Sequence, residues 1–294
     1  MKDIYQIVKE RQTITQTIRI FFQQRGYLEV ETPIVVRSPG MEPNLTPLET
    51  HVIEPDGVKH PAALITSPEY FMKKLLGLGM EKIFTLTKVF RNEEDFGGTH
   101  NPEFTMLEWY QQGADYQACM DETEDLIKSV SSVISSVPAL NETWKRFRVR
   151  DLFLEHVGVD LDVADQSDLG EACVRYGIHT SITDTISDLF YRLFLSKIEP
   201  KVLTKVHGRE NLSTRLLFDG LFVYDYPKYQ ASLARLTPDG RYGERFELYM
   251  NGLEICNGFT ELTDAVEQRA RFEEEAEERR IAGKIVHPID EVFL

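Results

Sequence analysis

The sequence is poor in cysteine, and its three cysteines stand far apart. Cys119, Cys173 and Cys256 form no CxxC pair, which excludes a zinc-ligand spacing and a disulfide framework and favours a reducing, cytoplasmic environment. The sequence also lacks an apolar run of about 18 residues, as a membrane span would need. Its charged N-terminus lacks the apolar core of a signal peptide. We therefore expect a cytoplasmic protein without a membrane anchor.

Several functional signatures and one sign of charge are also scarce. The sequence has no glycine-rich P-loop and no GxGxxG, so phosphates would not be bound in either of those ways. No Ser/His/Asp or Cys/His pattern indicates a covalent nucleophile. The 33 Lys and Arg residues against 48 Asp and Glu residues give a net charge of −15, which argues against a protein that mainly wraps nucleic acid. With 294 residues and 42% apolar content, the chain has an ordinary globular composition.

The pattern of apolar residues predicts helices and strands in alternation. Apolar spacing predicts an amphipathic helix over residues 4–25, ended by Gly26. A strand is predicted over 27–36, and Pro33 within it favours an edge or an interface. Ser67 is predicted to cap a helix over 69–79 with Pro68 at its first position. The other predicted elements are strands at 82–91, 103–110 and 221–227, helices at 115–136 and 262–282, and a helical insertion at about 150–210. This order predicts an α+β fold with an antiparallel sheet.

The dipeptide Asn251-Gly252 predicts a two-residue hairpin turn. The pairs that such a turn predicts are Met250 with Leu253, Tyr249 with Glu254, and Glu247 with Cys256. Glu247 and Glu254 then share one face of the hairpin on a diagonal. Two close carboxylates of this kind suit a Mg²⁺ ion that bridges phosphates. The alternative is a pair of solvated glutamates on an exposed sheet face.

A second group of polar residues follows the predicted strand at 82–91. Arg91 at a strand end can direct its guanidinium at a phosphate or a carboxylate. Glu93 could accept a hydrogen bond from an adenine amino group, and Phe104 could stack on a base. A surface Arg–Glu pair and a core phenylalanine are the alternatives. Glu69 and Glu261 could bind ammonium groups, or they could complement the helix ends near them.

Together these segments resemble the catalytic core of class II aminoacyl-tRNA synthetases of the lysyl type. The segments in question are GYLEVETP, TSPEY, FRNEED with THNPEFTMLEWY, and ERFELYMNGLEICNGFTELTD. The first is similar to motif 1 of that family and the third to its motif 2, and the resemblance covers residues 4 to 290. It implies a single catalytic domain over 1–294, built on an antiparallel sheet of six or seven strands flanked by helices. Motif 1, with Pro33, implies a homodimer.

The resemblance also implies ATP and Mg²⁺ as cofactors and gives roles to individual residues. Arg91 would contact the ATP α-phosphate and the carboxylate being activated. The residues implied to contact ATP are Arg91, Asn92, Glu93, Asn101, Phe104, Glu254 and Ile255. Glu247 and Glu254 would bind Mg²⁺. Those implied to hold the amino acid are Ser67, Pro68 and Glu69 at its backbone end, and Tyr110 and Glu261 at its distal ammonium.

Within the family, the chain resembles short paralogues that begin at the motif 1 helix, without an anticodon-binding domain. This resemblance implies activation of (R)-β-lysine or lysine as an adenylate and its transfer to a lysine side chain of elongation factor P, with AMP and pyrophosphate as products. A minimal synthetase that charges tRNA and a catalytically silent regulatory paralogue are the alternatives; we expect tRNA not to be the partner. The sequence stops at Leu294 before any glycine-rich third motif, and we expect truncation to be the reason.

Overall fold

The structure is a computed structural model that describes residues 3–94, 98, 100–134, 140, 143–201, 220–250 and 253–294. The chain divides into two compact units. Unit 1 consists of Met1–Ile18 and Ala114–Leu262, and unit 2 consists of Arg19–Gly113 and Thr263–Leu294. No helix in the described ranges is long and apolar enough to cross a membrane.

Helix α1 (Ile4–Gln24) runs through the boundary between the two units and confirms the first predicted helix. Gly26 follows it with a φ of +81°, a conformation that glycine adopts without steric cost. Only Phe21 and Phe22 of α1 are buried. Ile4 and Val8 are 77% and 59% exposed, so the residues that the structure describes leave the N-terminal half of the apolar stripe largely uncovered.

Unit 2 contains two three-stranded sheets. Their strands are β1 (Leu28–Glu29), β2 (Val35–Val36), β3 (Glu49–Ile53), β4 (Lys59–Leu64), β5 (Lys82–Phe90) and β6 (Glu103–Gln111). One sheet has the order β1-β5-β6 and the other the order β2-β4-β3. The predicted strand over 27–36 is therefore two short strands, interrupted around Pro33, which cannot donate to a ladder. Each of the two lies at the edge of its sheet, as the proline indicated.

Helices α2 (Glu69–Gly77) and α7 (Ala265–Ile281) complete unit 2. Ser67 is not the cap of α2: the cap position is held by Pro68, which has no side-chain acceptor. The Ser67 hydroxyl accepts only a long 3.4 Å bond from the Glu69 amide, because it stands one residue too far from the helix. Asp264 caps α7 by accepting from the amides of Val266 and Glu267.

Unit 1 is built around a four-stranded sheet with helices on both faces. Its strands are β7 (Lys145–Arg148), β8 (Gly220–Pro227), β9 (Tyr242–Met250) and β10 (Leu253–Phe259), and its helices are α3 (Tyr116–Ser132), α4 (Val149–His156), α5 (Gln166–Arg175) and α6 (Ile186–Leu193). A core around Phe153 and Phe190 packs α4, α5 and α6 on one face. A second core around Met120 and Phe222 packs α3 on the other. The predicted insertion at 150–210 thus contains helices, but residues 202–210 of it lie outside the described residues.

The α+β class is confirmed, but the prediction of one antiparallel sheet is wrong. The described strands form three sheets of three, four and three strands. Two pairs are parallel, β1 with β5 and β7 with β8. Each parallel partner lies far away in the sequence, so the local apolar pattern carries no information about the direction of pairing.

Candidate functional site

Arg91 and Phe104 lie together at the end of the β5–β6 hairpin in unit 2. Phe104 pairs with Val89 in the ladder, two residues before Arg91. The Arg91 amide donates to the Pro102 carbonyl oxygen at 3.0 Å. Its guanidinium lies 5.4 Å from the centre of the Phe104 ring. A cation and an aromatic face are thereby held side by side on a rigid hairpin.

The next two residues are held by Thr46. The Asn92 amide donates to the Thr46 carbonyl at 2.7 Å, and the Thr46 hydroxyl donates to the Glu93 carboxylate at 2.7 Å. Glu93 has a φ of +60°, a left-handed conformation that is strained for a residue with a side chain. Backbone strain of this kind is concentrated at functional sites. Asn101 is exposed near the start of β6.

Glu69 opens helix α2 directly after Ser67 and Pro68. Its carboxylate lies 2.6 Å from the Lys73 ammonium, one turn further along, and both side chains are nearly nine-tenths buried. Glu69 is therefore held in place by a cation before any substrate arrives. An incoming ammonium group would share the carboxylate with Lys73.

Tyr110 lies near the end of β6, and the residue two positions earlier is a carboxylate that the sequence reasoning missed. The Tyr110 hydroxyl donates to Glu108 at 3.0 Å, because residues two apart on a strand point to the same face. Glu108 adds a negative charge beside the tyrosine expected to hold a distal ammonium. The alternation in LEWY is the signal that could have revealed it.

Two further carboxyl groups of unit 2 have strongly raised pKa values. Burial, and then the charge of Glu69, raises the pKa of Glu42 to about 7. Burial, and then the charge of Glu42, raises the pKa of Glu275 to about 8. Arg91 and Lys73 act in the opposite direction on Glu42. Neither carboxyl belongs to a recognised motif, and the sequence offered no signal for either.

In unit 1, Glu247 is 4% exposed and both its oxygens accept hydrogen bonds. One oxygen accepts from Arg245 at 2.6 Å. The other accepts from the hydroxyls of Tyr226 at 2.5 Å and Tyr249 at 2.6 Å. Burial alone would lower the pKa of Arg245, but the charge of Glu247 raises it. Burial, followed by the charge of Glu247, raises the pKa values of both tyrosines.

The register of the β9–β10 hairpin differs from the prediction beyond Glu254. The pairs of Met250 with Leu253 and of Tyr249 with Glu254 are confirmed, whereas the pair of Glu247 with Cys256 is wrong. A bulge at Ile255 moves Cys256 opposite Leu248 and Asn257 opposite Glu247. The physical reason is that Cys256 packs in the apolar layer under α3, on the other face. The predicted turn at Asn251-Gly252 lies outside the described residues.

Glu254 and Glu247 nevertheless share a sheet face. Glu254 stands opposite Tyr249, whose hydroxyl binds Glu247. The side chains of Glu254 and Ile255 are exposed. Glu261 follows β10, where its backbone forms an isolated bridge with Ala234.

The predicted site residues fall into two groups. Unit 2 carries Ser67, Pro68, Glu69, Arg91, Asn92, Glu93, Asn101, Phe104 and Tyr110, and unit 1 carries Glu247, Glu254, Ile255 and Glu261. In the part of the chain that the structure describes, no three His, Cys, Asp or Glu side chains form a metal centre. Of the two glutamates predicted to bind Mg²⁺, Glu247 is buried and already accepts from Arg245 and two tyrosines, whereas the side chain of Glu254 is exposed. Mg²⁺ commonly takes one or two protein carboxylates together with substrate phosphates and waters.

Comparison with known proteins identifies the family of the chain. The model of the family described as tRNA synthetases class II (D, K and N) matches residues 1–291. The chain therefore belongs to the class II tRNA synthetases. It is 40% identical over 291 residues to the elongation factor P–(R)-β-lysine ligase of Edwardsiella ictaluri, with 97% of this chain and 82% of the relative covered. The relative of the same name from Yersinia enterocolitica is 40% identical over 288 residues, with 96% and 81% covered, and that from Salmonella typhi is 39% identical over 292 residues, with 97% and 82% covered.

Proposed function

We propose that this protein is an ATP-dependent ligase that activates (R)-β-lysine, or lysine, and attaches it to a lysine side chain of elongation factor P. The observation that carries the proposal is the Arg91 guanidinium beside the Phe104 ring, 5.4 Å from its centre. A nucleotide needs these two features together: a face for the base and a cation for the phosphate that reacts. The relatives, which share about two-fifths of the sequence, supply the identity of the acceptor and of the amino acid.

The reaction would proceed in two displacements. A carboxylate oxygen of the amino acid attacks the α-phosphorus of ATP, and the bond to the leaving pyrophosphate breaks. A lysine amine of the acceptor then attacks the acyl carbon, AMP leaves, and the amine loses a proton. Neither step needs a protein nucleophile, because positioning and charge neutralisation supply the catalysis.

The side chains of this chain would divide the work of holding the substrates. Arg91 would neutralise the α-phosphate and orient the attacking carboxylate, while Phe104 would stack on adenine. The other residues proposed to contact ATP are Asn92, Glu93, Asn101, Glu254 and Ile255. The amino acid would lie against Ser67, Pro68 and Glu69 at one end and against Tyr110 and Glu261 at the other. Mg²⁺, when held by Glu254 and Glu247, would neutralise phosphate charge.

We also propose that the protein works as a homodimer that uses the N-terminal half of α1. Ile4, Ile7 and Val8 are between 48% and 77% exposed, although their spacing is that of a buried helix face. Contiguous exposed apolar surface of this kind is typical of protein interfaces. The family resemblance through motif 1 supports the same conclusion.

ATP–pyrophosphate exchange with purified protein tests the proposed activation step. We expect exchange with (R)-β-lysine or lysine, and a loss of at least about 100-fold in Arg91→Ala, the scale seen when one transition-state donor is removed. Lys88→Ala, which removes an exposed cation of β5 outside the proposed site, is the matched control. Radiolabelled amino acid should then appear on elongation factor P. Label on tRNA alone would support the synthetase alternative, and silence with every amino acid would support the regulatory one.

A further inference from the structure

One face of α7 is directed at the start of α2 and at the loop before β3. Phe272, Glu275 and Arg279 are spaced i, i+3 and i+7, so they lie on the same side of the helix. The Phe272 ring lies 5.6 Å from that of Tyr70 on α2. Arg279 donates to the carbonyl oxygens of Glu42 and Leu45, both at 2.8 Å. Glu275 lies between these two contacts and thus faces both α2 and Glu42.

Tyr70 is buried beside this group of carboxyls. Tyr70 is 7% exposed, and its hydroxyl has no side-chain hydrogen-bond partner among the residues that the structure describes; the backbone of Met41 lies close enough to it to lower its pKa. The charges of Glu42, Glu275 and Glu69 all raise its pKa, after burial itself. Buried hydroxyls usually bond to a side chain, to the backbone or to water, and an oxygen without a side-chain partner leaves room for a ligand atom.

Glu42 and Glu275 lie among both carboxylates and cations, and the guanidinium of Arg279 bonds the Glu42 carbonyl oxygen. Glu42 is faced by Glu69 and Lys73 from α2 and by Arg91 from the end of β5. Glu275 is faced by Glu42, Glu69 and Glu278, with Arg271 as the opposing cation. With pKa values of about 7 and about 8, these two carboxyls retain about one proton near neutral pH. When Arg91 engages the carboxylate of the substrate, an ammonium group can replace that proton.

We propose that Glu42, Glu275 and the Tyr70 hydroxyl form, beside Glu69, the subsite for the substrate amino group nearest to the reacting carboxylate. The inference rests on the proposed function and names the residues that bind this amino group. Lysine and (R)-β-lysine differ only in the carbon that carries it. The subsite therefore determines which of the two amino acids is activated.

Pyrophosphate exchange with three substrates tests this assignment. (R)-β-lysine and lysine carry the amine, whereas 6-aminohexanoic acid retains the carboxylate and the distal amine but lacks it. Glu42→Gln should raise the KM for (R)-β-lysine at least tenfold and leave the KM for ATP and for 6-aminohexanoic acid unchanged. Glu275→Gln and Tyr70→Phe should act in the same direction with smaller effects. Glu274→Gln, an exposed neighbour on α7, should leave all three values unchanged.

The pH dependence gives a second readout that a structural role would not change. Because the ammonium displaces a proton, the KM for (R)-β-lysine should fall as the pH rises from 6 to 8, and Glu42→Gln should flatten that slope. Equal increases in KM for 6-aminohexanoic acid and (R)-β-lysine, or none in either, would overturn the subsite.

Calorimetric titration of (R)-β-lysine and lysine into the protein without ATP separates the two proposals. Binding that weakens tenfold in Glu42→Gln, in a protein without exchange activity, would sustain the subsite and defeat the proposed function. Exchange activity together with unchanged binding in Glu42→Gln would sustain the proposed function and defeat the subsite. Absence of both exchange and binding in the unmodified protein would defeat both. Thermal unfolding of each variant checks that it is folded.

Discussion

Glu247 and Glu254 are both predicted metal ligands, yet their surroundings are opposite. Glu247 is buried and accepts hydrogen bonds from Arg245 and two tyrosines, whereas Glu254 is exposed. A buried carboxylate that neutralises a buried guanidinium stabilises the sheet from which the exposed carboxylate projects. The two residues should therefore respond differently to the same substitution.

We expect Glu247→Gln to lower the free energy of unfolding by about 3 kcal/mol, because it leaves the charge of Arg245 buried and unpaired. Glu254→Gln should change stability by less than about 0.5 kcal/mol and still lower exchange activity at least tenfold. Urea denaturation and pyrophosphate exchange on both variants measure the contrast. Equal loss of stability in the two variants would contradict it.

Glu93 gives a second prediction at the scale of a single residue. Its left-handed backbone costs on the order of 1 kcal/mol, so Glu93→Gly should leave stability equal or higher while exchange activity falls. The neighbouring Glu94 does not have a positive φ. Glu94→Gly should therefore lower the free energy of unfolding by about 0.5 kcal/mol or more, because glycine loses more conformational freedom on folding. Thermal unfolding of the pair is the measurement. A Glu93→Gly variant destabilised by more than about 1 kcal/mol, the typical contribution of the Thr46 hydrogen bond that it also removes, would contradict the expected strain.

At the scale of elements, α1 packs one end of its apolar stripe and leaves the other end exposed among the residues that the structure describes. Its C-terminal half packs Phe22 against Phe84 of β5, with ring centres 4.9 Å apart. Its N-terminal half leaves Ile4 and Val8 in solvent. One continuous stripe therefore serves an intramolecular core at one end and is proposed to serve an intermolecular one at the other.

We expect the double variant Ile4→Glu and Val8→Glu to convert a dimer to a monomer, because two charges would be buried in the interface at high cost. Sedimentation velocity at micromolar concentration measures the change. Leu78→Glu, which alters an equally exposed leucine at the end of α2, should have no effect. A wild-type protein that is already monomeric under these conditions would refute the proposed interface.

Elements with a strong local signal are those that the sequence predicts well. The ends of α1 and the spans of β5 and β6 follow from periodicity and from Gly26. The bulge at Ile255 does not, because it results from Cys256 packing against residues of α3. The break around Pro33 is also not predictable from the local sequence. The proline indicates an edge strand, but the residues before it pair with β5 in one sheet and those after it pair with β4 in another.

At the scale of the molecule, the candidate site also contains residues that the local sequence predicts and residues that it does not. Arg91, Phe104, Glu69 and Glu254 lie in segments whose spacing carries a chemical meaning, and the sequence points to each of them. Glu42 and Glu275 come from a loop and a helix far apart in the chain, and only the fold brings both near Tyr70. No local pattern marks residues that acquire their role from long-range packing.

The raised pKa values of Glu42 and Glu275 make the stability of the whole molecule depend on pH. Both groups hold their proton more tightly in the folded chain than at the ordinary value of 4.5. Their contribution is therefore complete below about pH 4.5 and is lost as the pH rises through about 7 and about 8. We expect the free energy of unfolding to fall by about 1 kcal/mol or more between pH 6.5 and 8.

Urea denaturation at several pH values measures this trend. Glu42→Gln and Glu275→Gln should each flatten it, since an amide keeps the neutral form at every pH. Glu274→Gln should retain the slope of the unmodified protein. An unmodified chain whose stability rises between pH 6.5 and 8 would contradict the expected sign.

Because of the bulge at Ile255, substitutions on one face of β10 need not disturb the side chains on its other face. A strand with regular alternation would place Glu254 and Cys256 on one face, so a change in the packing under α3 would be felt by the carboxylate. The extra residue shifts the phase of β10 between these positions, and the two faces can be altered independently. Deleting Ile255 would restore the regular phase and turn either Cys256 or Glu254 to the wrong side. For the phase of β10, deletion of Ile255 should therefore be far less well tolerated than a change of its side chain.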